Sequence, residues 1–126
     1  MNEERYQIDV RVEPAYLAEQ SDPDEDRYAF SYTVTLENTG AVGARLRSRR
    51  WVITDSDGHV QKVQGEGVVG EQPYLEPGER YQYTSGALLK APVGTMEGSY
   101  HMVADDGTEF DTPIPRFTLA GPRVLH

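Results

Sequence analysis

Apolar and polar residues alternate along most of this chain with a period of two, the spacing of a strand with one buried and one wetted face. The clearest run is 28–37, where Tyr28, Phe30, Tyr32, Val34 and Leu36 share one parity and Ser31, Thr33, Thr35 and Glu37 the other. Residues 6–12 repeat it with Tyr6, Ile8, Val10 and Val12 against Gln7, Asp9 and Arg11. Pro14 is expected to end that strand, since proline donates nothing to a ladder. Further strands are predicted over 44–54, 59–64, 80–89, 98–104 and 108–114, with a last short one at Phe117 and Leu119. Pro113 and Pro115 bracket Ile114, which predicts that the 108–114 strand stops there or lies at a sheet edge.

Turn chemistry separates these runs. Asn38-Thr39-Gly40, Asp55-Ser56-Asp57-Gly58, Pro77-Gly78 and Asp105-Asp106-Gly107 all carry tight-turn residues. No helical period exceeds about two turns. Seven or eight short strands with turns every 8 to 12 residues or so predict an all-β antiparallel sandwich, with a closed barrel as the alternative.

The 44–54 run breaks the alternation. Arg45, Arg47 and Arg49 share the parity of Trp51 and Ile53, while Leu46 and Val52 fall on the other. Either the arginines reach past the sheet edge or a bulge near 48–50 switches faces. These arginines could grip a phosphate or carboxylate through forked hydrogen bonds, or pair with acidic side chains on adjacent strands. In so acidic a chain, pairing is the expectation.

Composition narrows the function classes. The chain has 126 residues, enough for one domain spanning 1–126 with a core at about 6–122. Its net charge of −9 argues against nucleic acid and anionic membranes as partners and favours a protein, a cation or a neutral ligand. There is no cysteine, which excludes disulfides and thiolate chemistry and fits a cytoplasmic setting. The first ten residues are polar and charged, so neither a signal peptide nor a membrane anchor is expected there.

Catalytic and metal constellations are not legible. Ser85 sits in Tyr83-Thr84-Ser85-Gly86, not in a nucleophile elbow, and nothing in the spacing brings His101 to it. His59, His101 and His126 are scattered without metal-ligand spacing. Asp22, Asp24 and Asp26 imitate the opening of a calcium loop, but Arg27 and Thr33 occupy the places of its glycine and closing glutamate. No catalytic residue, metal or cofactor is therefore assigned, and a non-enzymatic role is expected.

The one motif is Gly65, Gly67 and Gly70, a G-x-G-x-x-G spacing. A phosphate-cradling turn needs it after a strand and at the start of a helix, whereas Pro73 and Pro77 follow here. Backbone geometry is the favoured reading of these glycines. The alternative is a nucleotide or pyrophosphate site, or a divalent cation site, built from Gly65, Gly67 and Gly70 with Arg45, Arg47 and Arg49. Val68, Val69 and Tyr74 are read as exposed apolar loop residues that contact a partner. Arg123 to His126 could swap onto a neighbour's sheet edge and give a homodimer.

The order of Ile53-Thr54-Asp55, Gly58, Gly65-Glu66-Gly67-Val68-Val69-Gly70, Gln72-Pro73, Leu75, Pro77-Gly78, Tyr83-Thr84-Ser85-Gly86, Pro92, Gly94, Met96, Gly98, Tyr100, Met102 and Ile114-Pro115 resembles that of ApaG proteins. The resemblance covers about Tyr6 to Pro122. It implies an immunoglobulin or fibronectin type III-like sandwich. It also implies a kinship with domains of F-box proteins and of a polymerase delta-interacting protein, which look like partner-recognition modules. Bacterial members are associated with cobalt and magnesium efflux and with diadenosine tetraphosphate metabolism. The family's glycine stretch is regarded as a pyrophosphate-binding motif. Ala91 departs from the threonine common before Pro92, which removes a hydroxyl from that loop.

Overall fold

The computed structural model describes residues 5–122. Eight strands follow in order: β1 (Ile8–Tyr16), β2 (Tyr28–Asn38), β3 (Ala44–Asp55), β4 (Val60–Glu66), β5 (Tyr74–Leu75), β6 (Arg80–Leu89), β7 (Val93–Ala104) and β8 (Glu109–Ala120). They form two antiparallel sheets. One has the order β1-β2-β6; the other has β4-β3-β7-β8, with the two-residue β5 also paired to β3. This is the sandwich that the alternation predicts, with an immunoglobulin or fibronectin type III-like division of strands.

The inward parities of both sheets meet in one core. Val34, Leu36, Leu46, Tyr100, Met102 and Leu119 are fully buried in it. Trp51 on β3 sits at its centre. Its ring lies 5.2 Å from Tyr32, 6.3 Å from Tyr100 and 5.9 Å from Phe117, each edge-on. Such pairs add about 0.5–1.5 kcal/mol each beyond the area they bury.

Two expectations, the end of β1 and the place of the bulge in β3, need correction. β1 does not end at Pro14 but runs on to Tyr16, with Pro14 opposite Tyr32. Of the two outcomes predicted for the 108–114 strand, the sheet edge is the one found: β8 passes both prolines and continues to Ala120. Each of these strands is the outermost of its sheet, so a missing N–H on the free side costs no ladder bond. The face switch in β3 is real, but the register slips between Leu46 and Ser48, ahead of the 48–50 position. Arg47 occupies the bulge. Ala44 and Leu46 point inward before it; Trp51, Ile53 and Asp55 point inward after it. Arg123 to His126, the segment read as able to swap, lies outside the described residues.

Candidate functional site

The glycine stretch forms the connection from β4 to β5. Gly67 takes φ 63° and Gly70 φ 83°, both left-handed. A Cβ on Gly67 would meet Glu71 O at clashing distance, whereas one on Gly70 would meet nothing within 4 Å. Gly67 therefore answers a close approach of backbone, and Gly70 answers a turn. That turn spans 68–71. Val68 N donates to Glu71 O at 2.8 Å and Glu71 N returns a bond to Val68 O at 2.9 Å. Gly67 N donates to Arg47 O at 2.8 Å. The N–H groups of Gly67 and Val68 are thus spent inside the fold, and Val69, Gly70 and Glu71 are exposed at the tip.

Val68 is not a surface contact, contrary to the reading from sequence: it is 0% exposed and belongs to the core. Its side chain follows the inward turn at Gly67 and closes the end of the sandwich. Val69 is 54% exposed and takes φ 43°, a left-handed conformation that a β-branched residue adopts only under constraint. Tyr74 is exposed but held. Its hydroxyl donates to Asp105, with oxygen distances of 2.9 and 2.7 Å, and the Arg45 guanidinium lies 5.4 Å from its ring centre. Acceptance by the Asp105 carboxylate keeps the Tyr74 proton on, raising the pKa of the hydroxyl above its ordinary value.

The arginines do not pair with acidic neighbours as expected. Among the described residues, Arg45, Arg47 and Arg49 form no ion pair with a carboxylate. Arg45 Nη1 donates to Gln72 O at 2.8 Å. Arg49 Nη1 donates to Gly67 O at 2.8 Å and Glu66 O at 3.1 Å. Arg47 contributes its carbonyl, which also accepts Gln72 Nε2 at 2.9 Å. Carbonyls left without ladder partners by the left-handed turns need donors, and the guanidinium forks supply them. The arginines staple the glycine stretch to β3.

Asn38, which the sequence reading took only as a turn residue, is the buried anchor of the same region. It is 1% exposed. Its Nδ2 donates to Val42 O at 3.0 Å and Leu75 O at 2.9 Å, and its Oδ1 accepts Gly40 N at 2.9 Å. Its backbone binds Glu79 O and Gly78 N, so one residue ties three loops together. The only sequence signal for this was an asparagine at the end of a long apolar alternation.

Outside this loop, an open cleft of about 430 Å³ lies on the wetted face of the larger sheet, lined by Arg49, Arg50, Gly65, Glu66, His101 and Asp111 among others. His101 is clamped there: Nδ1 is 2.9 Å from Asp111 Oδ1 and Nε2 is 2.7 Å from Glu109 Oε1. These two carboxylates, Asp111 foremost, raise its pKa above the ordinary histidine value. Ser85 lies on β6 of the other sheet, so the fold does not bring it to His101. Among the described residues no cluster of three or more histidines and carboxylates is arranged to hold a metal ion, and no helix is long and apolar enough to cross a membrane.

Comparison with known proteins agrees with this architecture. The ApaG domain model matches residues 18–104. Protein ApaG of Thiobacillus denitrificans is 66% identical over 122 residues, covering 97% of this chain and 96% of its own. Protein ApaG of Azoarcus sp. is 59% identical over 123 residues, covering 98% and 97%. A crystal structure of an ApaA protein from Bordetella pertussis superposes with a TM-score of 0.92 at 50% identity, covering 96% of this chain and 98% of that one. The strands, the glycine stretch and nearly the full length match together, and the chain belongs to the ApaG family.

Proposed function

We propose that the chain is a non-enzymatic module for recognising another protein, and that the 68–71 turn touches the partner. The observation that carries this is Val69. A β-branched side chain held left-handed costs about 1–2 kcal/mol, and at 54% exposure Val69 recovers little of that by burial. Asparagine or glycine would make the same turn without the cost. An exposed apolar residue kept at a strained tip supports a contact role. Tyr74, fixed by Asp105 and Arg45, offers a second rigid apolar surface of the kind that anchors interfaces. The family's association with cobalt and magnesium efflux and with diadenosine tetraphosphate metabolism, in a cytoplasmic setting, directs which partners to try first.

Photo-crosslinking from position 69 in living cells tests it, with position 118 on β8 as control. Discrete adducts to proteins of other sequence, reduced by Asp105→Ala, support the reading. Adducts at position 69 no stronger than at position 118 would refute it, and adducts to the same chain alone would make it a homodimer contact.

A second reading has one observation in its favour: the cleft beside Gly65 is lined by Arg50, which has no ion-pair partner among the described residues. On this reading a polyphosphate anion lies against Arg50 and Gly65. Titration with a dinucleoside tetraphosphate, followed by amide shifts, decides it. Silent amides from 65 to 70 at millimolar ligand end the idea.

A further inference from the structure

The four long outer strands differ in what their free edges carry. β1 has Pro14 and β8 has Pro113 and Pro115, and proline blocks the addition of another strand. β6 has no proline but only one charge, Arg80, so no charge along it selects a register. β4 has no proline, no buried residue and two opposite charges, Lys62 and Glu66. Among the described residues neither of these side chains has an ion-pair partner.

Two hydrogen bonds fix which way the β4 backbone points. Gly67 N donates to Arg47 O at one end of the β3–β4 ladder, and Asp55 N donates to His59 O at the other. Bonded pairs alternate along an antiparallel ladder. Residues 61, 63 and 65 therefore bond to β3, and the N–H and C=O groups of Lys62, Gln64 and Glu66 point to the free edge. The same three side chains lie on the wetted face, because their partners Val52, Arg50 and Ser48 alternate with the inward Trp51 and Ile53. Glu66 O accepts Arg49 Nη1 and keeps a second lone pair.

We propose that β4 pairs antiparallel with β4 of a second copy of the chain, about a twofold axis through Gln64. Lys62 of each copy then stands opposite Glu66 of the other, and Gln64 opposite Gln64. Each of these residue pairs exchanges two backbone hydrogen bonds, and the larger sheets of the two copies join into one. Charge selects this register, because opposite charges directly across strands stabilise a pairing and like charges oppose it. An axis through Lys62 sets the two lysines face to face. An axis through Val63 sets Glu66 opposite Val60 and leaves both ion pairs unmade. The contact is isologous, so it closes at two copies. It uses none of the residues of the 68–71 turn and does not rest on the reading of that turn as a partner contact.

Sedimentation equilibrium of the full chain reads the dimer, and charge exchange tests the register. Lys62→Glu and Glu66→Lys should each weaken self-association about tenfold or more, because each sets like charges opposite one another. Mixed together, the two variants should recover the affinity of the parent, since every changed charge then faces its opposite. A variant that had merely misfolded would not be rescued in this way. The chain has no cysteine, so Gln64→Cys should give a disulfide-linked dimer on oxidation with diamide, across a Cα separation of about 5.5 Å. Thr118→Cys on β8 should not. A parent chain that stays monomeric at millimolar concentration, or variants that associate as well as the parent, would overturn the pairing. So would a mixture no better than its components, or equal crosslinking at 64 and 118.

Discussion

Tyr83 on β6 and Tyr100 on β7 meet hydroxyl to hydroxyl in the core, so the two sheets share a hydrogen bond at the centre of an otherwise apolar interface. Each ring fills the space between the sheets, and each hydroxyl is the other's partner there. Burial raises the pKa of both phenols, Tyr100 further than Tyr83.

Replacing either tyrosine by phenylalanine strands the remaining hydroxyl. Tyr83→Phe and Tyr100→Phe should each cost about 1–3 kcal/mol, while the double substitution costs less than the sum. Urea unfolding of the four proteins measures this. Strictly additive values would mean that the pair contributes no mutual stabilisation. Because the folded pKa values lie above the unfolded ones, the contribution is intact below about pH 10 and is lost as pH rises beyond it. Tyrosinate absorbance should therefore show two rings that ionise only as the protein unfolds.

Gly67 and Gly70 should respond differently to alanine. Gly70→Ala meets open space and pays only for its left-handed backbone, about 1 kcal/mol. Gly67→Ala also drives a methyl group into Glu71 O and should cost clearly more, about 3 kcal/mol. Thermal denaturation orders them; equal losses would remove the close approach as the reason for Gly67.

Val69→Asn should stabilise the protein, by about 1 kcal/mol, because an Asn-Gly pair suits this two-residue turn. The melting temperature would rise by about 4 °C, while crosslinking to a partner through the tip falls. A variant that is more stable and still binds fully would remove the functional reason for valine there.

His101 sets a pH dependence. Its folded pKa is raised by Asp111 and Glu109, so its contribution is fully present below the unfolded value near 6.5 and is lost as pH rises through the folded value. Its ring is partly open to water, so the effect on stability is modest. Proton NMR should find its midpoint above that of a free histidine, and His101→Gln should flatten stability across that window. A midpoint at or below the free value would contradict the clamp.

Asn38→Asp should be among the more damaging single-atom changes. It removes two donors and sets a carboxylate oxygen against the carbonyls of Val42 and Leu75 inside the fold. The loss is expected at about 2–4 kcal/mol, and the β5 segment should lose hydrogen-exchange protection first.

The alternation of Tyr28 to Leu36 and the turns at Gly58, Gly78 and Gly107 were enough to determine an antiparallel sandwich, because a half-buried strand and a left-handed turn each demand local residue types. The same local signals misjudged Pro14, and for Pro113 and Pro115 they left a strand end and a sheet edge both open, of which the edge is found. Whether a proline ends a strand depends on whether its N–H side has a neighbour, and that is a property of sheet order. Val68 and Val69 are identical neighbours in sequence, yet one is core and the other a strained tip, because the chain reverses between them. The arginines at 45 and 49 found carbonyls in place of carboxylates once the glycine stretch folded back against β3. The groove lined by Phe30, Ile53, Val63 and Leu88, between β4 and β6, has no signature in either strand. It exists because sheets of unequal width pack together, and only the packed structure decides which edges are left facing water.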